Sequence, residues 1–389
     1  MGYLTRDERD KRLARLRQAM IAKELDIVLV YYDELNVGNG WYLTGWCPQF
    51  ESGAVLVPRQ GDPMILGGPE SEPFARLDSA ITETRNMPAF MVPDEEYPNA
   101  TIIDFPALFA ELTSNLGWLK RVGLVGAGRM PTECHQQIVQ GFKGVELLDF
   151  TLDYVGLRCR KSAWEVEQIR AAFELADDCY DAMQAKISPG VSEIEVAAAG
   201  EFAARQRSAS GFGFTTIVGS GKRANAVVPT ATSKKLEAGE IVMIGISPKV
   251  QGYAGVVGDT LPVSGNYTNG QKEHLLFLKE AFCLTKEQLL PGKIGREIDA
   301  PARAYFAKHN LSGYLVCPFA HTIGLHESES PFFGPHSNDV LERGMTVSVD
   351  VSLFGHPEFN GLRIETGYEI SNHGPVPMSS KMDRLCTEI

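Results

Sequence analysis

Residues 240–265, EIVMIGISPKVQGYAGVVGDTLPVSG, read as two β runs, Glu240–Ile246 and Gly252–Val263. Their apolar stretches are too short for helices of ordinary length and are rich in β-branched residues. Outward from this pair, further β runs are predicted at Thr215–Val218, Thr346–Ser352 and Arg363–Ile370. Helical patterns at Gln271–Leu290 and Ile298–His309 interrupt them. Runs of strands broken by separate helices predict an α+β domain, with helices packed on a curved antiparallel sheet.

Upstream, Arg158-Cys-Arg-Lys-Ser162 marks a junction, and Ser162 with Glu165 has the form of a helix capping box. The helix that follows, Ala163 to about Lys186, carries Val166, Ile169, Ala172, Leu175 and Ala176 on one side and stops at Ser188-Pro-Gly190. A second helix runs from Glu193 to about Arg207. Before the junction an amphipathic helix over 5–23 precedes β runs at Ile27–Tyr32, 53–57 and 64–66. Then come a helix over Phe105–Leu116 and a strand over Val122–Val125. That alternation predicts an α/β first domain, residues 1–155, ahead of a second domain over 156–389. Gly126-Ala-Gly128 lacks the third glycine of a dinucleotide-binding turn, so a nucleotide site is not expected there.

With 389 residues, 44% of them hydrophobic, the chain is long enough for two substantial cores. The net charge of −12, with no Lys/Arg-rich run, makes nucleic acid and anionic membranes poor partners. No run of 18 apolar residues predicts a membrane span, and the charged opening stretch lacks the apolar core of a signal peptide. Seven scattered cysteines without a C-x-x-C pair point to reduced thiols and a cytoplasmic protein.

The motifs of the second domain come in a telling order: Lys161-Ser with Glu165, Pro189-Gly-Val-Ser-Glu193, Gly239-Glu-Ile-Val, Gly252-Tyr, and Thr260-Leu-Pro-Val-Ser-Gly265. After them stand His321-Thr-Ile-Gly-Leu, Glu342-Arg-Gly-Met345 and Leu362-Arg-Ile-Glu365. Together they resemble the superfamily of creatinase, prolidase, aminopeptidase P and methionine aminopeptidase. Asn39-Gly-Trp-Tyr-Leu-Thr-Gly45 is similar to its creatinase-type first domain. The resemblance implies a C-terminal pita-bread domain behind an N-terminal α/β domain. It also implies a homodimer in which one subunit's first domain closes the other's pocket.

Metal-dependent members hold two divalent ions with two Asp, one His and two Glu. Hard carboxylates bridge the cations, and the ions acidify a water and polarise a carbonyl. By the resemblance His321, Asp350 and Glu365 stand at three of those positions. Gly245 and Val256 stand where the aspartates belong, and Asp259 lies three residues beyond Val256, an odd offset in a strand. From these losses we expect a metal-independent, creatinase-like hydrolase, without a cofactor, that cleaves a C–N bond of a small, at least partly cationic molecule. His321 would be its acid/base, with Asp350 and Glu365 orienting substrate or water. The segment 225–232, where creatinase carries its own histidine, has none. Arg363, two residues before Glu365, is placed to pair with it. His326, Tyr253, Asp259, Arg363, Glu51, Trp46 and Phe50 are the substrate-binding candidates. His336 and His356 read as loop or turn residues. Two alternatives remain open. One is an Xaa-Pro-type peptidase or metal-dependent lyase with a single divalent ion at His321, Asp350 and Glu365. The other is a catalytically dead pita-bread domain that binds peptides or proteins.

Overall fold

A computed structural model describes residues 4–388. The chain divides into two compact units, the first ending at Arg158 and the second beginning at Cys159.

The first unit is built on a six-stranded mixed sheet. Its central strand Ile27–Tyr32 runs antiparallel to Gly53–Pro58 and parallel to Arg121–Val125. Every residue of IVLVYY is buried, as a strand covered on both faces requires. The helix Arg6–Ala22 sends Leu13, Leu16 and Met20 inward, and Thr5 caps it through the Glu8 N–H. Sequence leaves residues 33–52 as a loop, but a helix forms over Val37–Thr44. Its Gly38 and Gly40 lower the helix signal. Gly40 is there for close packing, since a Cβ would come within 2.2 Å of the Tyr32 ring.

In the second unit the capping box at Ser162 and Glu165 forms and starts the helix Ala163–Lys186. A second box, Ser192 with Glu195, starts Glu193–Gln206. The main sheet of this unit is antiparallel. In order it contains Glu329–Phe332, Ala320–Thr322, Thr346–His356, Asn360–Ser371, Val257–Pro262, Ile241–Ile246 and Ile217–Ser220, with Gly374–Pro377 paired to the 360–371 strand. The helices lie against this sheet, so the unit is the expected pita-bread domain and the class is α+β.

The continuous strand predicted over Gly252–Val263 is broken into Tyr253–Ala254 and Val257–Pro262. At the break Gly255 lies against the long helix; a Cβ there would stand 2.3 Å from the Ala172 carbonyl carbon. The chain turns to let that helix pass, a long-range demand with no local signature.

Two strands determine where the site lies. Along Thr346–His356 the side chains of Val347, Val349, Val351 and Leu353 join a core with Leu278, Phe282 and Phe306 of the helices Asn269–Lys286 and Gly295–Lys308. The alternate residues Ser348, Asp350 and Ser352 face the other way and are buried too. On Asn360–Ser371, Leu362 and Ile364 join the core, while Arg363 and Glu365 share the polar face. A polar sheet face withdrawn from water has to satisfy itself internally.

Candidate active site

Strand register assembles that face. Asp350 is directly opposite Glu365, Glu365 opposite Gly258, and Gly258 opposite Gly245; His321 is opposite Ser348. Directly paired residues point to one side. Gly258, which has no side chain, therefore lies directly beside Glu365, with Gly245 one strand further on. A Cβ on Gly258 would meet the Glu365 Cβ at 3.0 Å. Val256, just ahead of the strand, is fully buried.

Arg363 donates from Nε to Asp350 Oδ1 (2.9 Å) and from a terminal nitrogen to Oδ2 (2.5 Å). That same nitrogen lies 3.3 Å from Glu365 Oε2, and the other donates to the Val227 carbonyl at 3.0 Å. Burial works against the guanidinium charge, but Asp350 and Glu365 outweigh it and raise the Arg363 pKa. Ser348 Oγ donates to Glu365 Oε1 at 2.8 Å. Burial, offset in part by Arg363, pushes the Glu365 carboxyl well above the usual carboxylate range.

His321 Nδ1 lies 3.1 Å from the Thr322 carbonyl. A carbonyl only accepts, so Nδ1 is the donor of that bond and Nε2 is the ring atom turned toward the carboxyl groups. Nε2 lies 3.7 Å from Glu327 Oε1 and 3.8 Å from Glu365 Oε1, too far for direct hydrogen bonds. Glu327 is 8% exposed and its Oε1 has no hydrogen-bond partner. Burial raises its pKa. Cys317 has its thiol pushed up by burial and by Asp350, away from thiolate reactivity.

His321, Asp350 and Glu365 each offer a ligand atom within 4.8 Å of one another. The donor set, one imidazole and carboxylates, suits a divalent cation, and the orphaned Glu327 oxygen beside it is a further hard donor. The residues fit one ion. Gly245 and Val256 supply no donor for a second.

Of the other candidates, Arg363 joins the cluster. His326 immediately precedes Glu327, and its backbone N–H donates to Glu329 Oε1 at 3.1 Å. Tyr253 Oη donates to Glu165 Oε1 at 2.8 Å and ties the sheet to the capping box of the long helix. Asp259 points to the opposite face from Gly258 and accepts from Tyr180 Oη at 2.8 Å, as an odd offset dictates. In the first unit, Glu51 is buried and accepts from the backbone N–H groups of Glu70 and Ser71. Trp46 packs edge-on to Tyr32, and Phe50 is exposed with φ +63°. The side chains of Tyr253, Asp259, Glu51 and Trp46 are thus engaged in contacts that hold the fold together. Ser348 is absent from the sequence-based candidates, and Glu327 enters them only as the neighbour of His326 in a substrate-side His-Glu pair. Ser348 was legible as Asp350 minus two; Glu327 depended on the turn that brings it back to His321.

The fold and this buried imidazole–carboxylate centre define a two-domain hydrolase of pita-bread architecture. The chain belongs to metallopeptidase family M24, whose model matches residues 167–372; that of the creatinase/prolidase N-terminal domain matches 12–160. An uncharacterised peptidase of Bacillus subtilis, YqhT, is 32% identical over 218 residues, 56% of this chain and 61% of that protein. An Xaa-Pro dipeptidase of Pyrococcus furiosus is 27% identical over 365 residues, 94% of this chain and 96% of its own. Among solved structures, the prolidase of Pyrococcus horikoshii superposes with TM-score 0.79 at 22% identity, covering 95% of this chain and 97% of that one. The X-Pro aminopeptidase of Thermotoga maritima gives 0.83 at 20%, with the same coverage. Membership places the chain among hydrolases of C–N bonds.

The expectation of a metal-independent, creatinase-like enzyme without a cofactor is corrected here. The matching family is one of metallopeptidases, and two of the similar proteins are Xaa-Pro peptidases. The loss of two aspartates does not entail the loss of the metal. Three donors suffice for one ion, and the fold brings them together.

Proposed function

We propose that the chain is an Xaa-Pro-type peptidase that works with a single divalent ion, held by His321, Glu365 and a further carboxylate of the same cluster. The observation that carries this reading is His321 Nε2, buried and facing the oxygens of Glu327 and Glu365 at 3.7 and 3.8 Å. An imidazole nitrogen set among carboxylate oxygens is the donor arrangement that suits a divalent cation. A bound ion supplies an acidified water and polarises the scissile carbonyl.

The protein groups divide the remaining work. The Thr322 carbonyl fixes the His321 tautomer, and Ser348 fixes the rotamer of Glu365. Arg363 neutralises Asp350 and limits carboxylate repulsion. The substrate preference rests on the similar Xaa-Pro peptidases. None of the seven cysteines is paired in a disulfide, which supports a cytoplasmic location. Among the described residues no helix is long and apolar enough to cross a membrane. The likeness to creatinase-type proteins supports a homodimer, which sedimentation velocity measures.

The test is hydrolysis of an Xaa-Pro dipeptide panel by chelator-stripped protein, before and after Mn²⁺, Co²⁺ or Zn²⁺ is restored. Cleavage should appear only with an ion, and His321→Ala should lower kcat/KM at least about a hundredfold. Turnover that ignores the chelator, or no cleavage with any ion, overturns the proposal.

A further inference from the structure

We infer that Glu327 is the third protein ligand of the ion, and that Asp350, its carboxylate held by Arg363, is not a ligand. The assignment rests on the single-ion reading above.

Both Asp350 oxygens are occupied. Arg363 grips them in a bidentate fork at 2.9 and 2.5 Å, and the pair is buried on both sides. A fork of this kind is the strongest arrangement open to a carboxylate and a guanidinium, and releasing it would strand a buried cation. Glu327 is the reverse case. It is buried, its Oε1 has no hydrogen-bond partner, and that oxygen is 3.7 Å from His321 Nε2. Glu365 Oε1 stands at nearly the same distance, 3.8 Å, from that nitrogen. Donor atoms around one tetrahedral or octahedral divalent ion lie about 3–3.4 Å apart, so each of these oxygens needs to close on Nε2 by less than about 1 Å.

The charges agree. Fully ionised, Glu327, Asp350 and Glu365 amount to three negative charges against the single positive charge of Arg363. One divalent ion closes the balance, and two would leave it positive. Arg363 thus stands as the built-in second cation of a centre that lost the donors for a second metal, at Gly245 and Val256. The Gly213 backbone fits closely against this carboxylate, since a Cβ there would lie 2.8 Å from the Glu327 Cβ and 2.4 Å from Ser247 Oγ. Ser247 Oγ is buried with no hydrogen-bond partner, so a second unsatisfied polar atom lies next to Glu327.

The experiment is titration calorimetry of Mn²⁺ and Co²⁺ into the chelator-stripped full chain, with metal content measured after dialysis. Wild type should bind one ion. Glu327→Gln, nearly isosteric, should bind at least about tenfold more weakly. The double variant Asp350→Asn/Arg363→Gln removes the fork without changing net charge and should stay within about threefold of wild type. Two ions in wild type, a loss below tenfold in Glu327→Gln, or a loss in the double variant as large as that of Glu327→Gln each overturns the assignment. Should circular dichroism show that Glu327→Gln does not fold, Glu327→Asp withdraws the oxygen by one methylene and carries the same tenfold criterion. Binding is read without turnover. One ion bound through Glu327 in a protein that cleaves no dipeptide would end the peptidase reading and leave this assignment standing. Cleavage supported by two ions would do the opposite.

Discussion

Asp259 and Glu365 occupy neighbouring strands of one sheet and have opposite roles. Glu365 shares its face with Arg363, His321 and Glu327, and its burial is coupled to charge partners. Asp259 is on the other face, half-buried, with the Tyr180 hydroxyl and the Thr260 N–H as its donors. Burial raises its pKa to about 6, against the opposing pull of Tyr180. The folded state therefore holds this proton between about pH 4 and 6, where the unfolded chain has released it. Stability is lost as pH rises through that window, and the penalty is complete above it. Asp259→Asn, which never ionises, should match wild type near pH 4 and be more stable by about 1–2 kcal/mol at pH 7.5. Urea melts at the two pH values measure this; a variant less stable than wild type at pH 7.5 would show that the carboxylate is needed there. At this scale the sequence was partly legible. His321, Asp350, Glu365 and Arg363 were readable from motif and i, i+2 spacing. Which carboxylate Arg363 grips was not, because that depends on cross-strand register.

At the scale of elements, the site owes its position to period-two alternation in Thr346–His356 and Asn360–Ser371. One set of side chains packs under the helices, and the other forms the buried polar face. Helix starts were equally local: Ser162 with Glu165 and Ser192 with Glu195 cap as their spacing implies. The break at Gly255 was not readable, since it answers the approach of the long helix at Ala172. Gly255→Ala should cost about 1–3 kcal/mol, because backbone at 2.3 Å cannot yield as a flexible side chain would. Gly128→Ala, with open space around it, should cost far less. Chemical denaturation of the two variants side by side checks the contrast, and equal midpoints would mean the helix moves aside freely.

For the whole molecule, a single-ion centre as proposed would couple catalysis to stability. A ligand that binds only the folded state at a hundred times its Kd adds about 2.7 kcal/mol. For a unit the size of residues 159–389, that raises Tm by about 5–10 °C. Thermal scans with and without chelator should show this shift in the transition of the second unit, and His321→Ala should abolish it. A chelator-insensitive Tm would place the ion outside the folded centre. The sequence by itself determined the α+β class, the order of the strands along the chain, the superfamily, and the loss of two metal ligands at Gly245 and Val256. Those follow from local periodicity, capping and motif order, all written in neighbouring residues. Only the tertiary structure decided what those losses mean. It turned Asp259 and Tyr253 away, joined Asp350 to Arg363, and carried Glu327 to His321. A metal centre is a meeting of residues distant in sequence, and its donors are set by register and turns that bury them together.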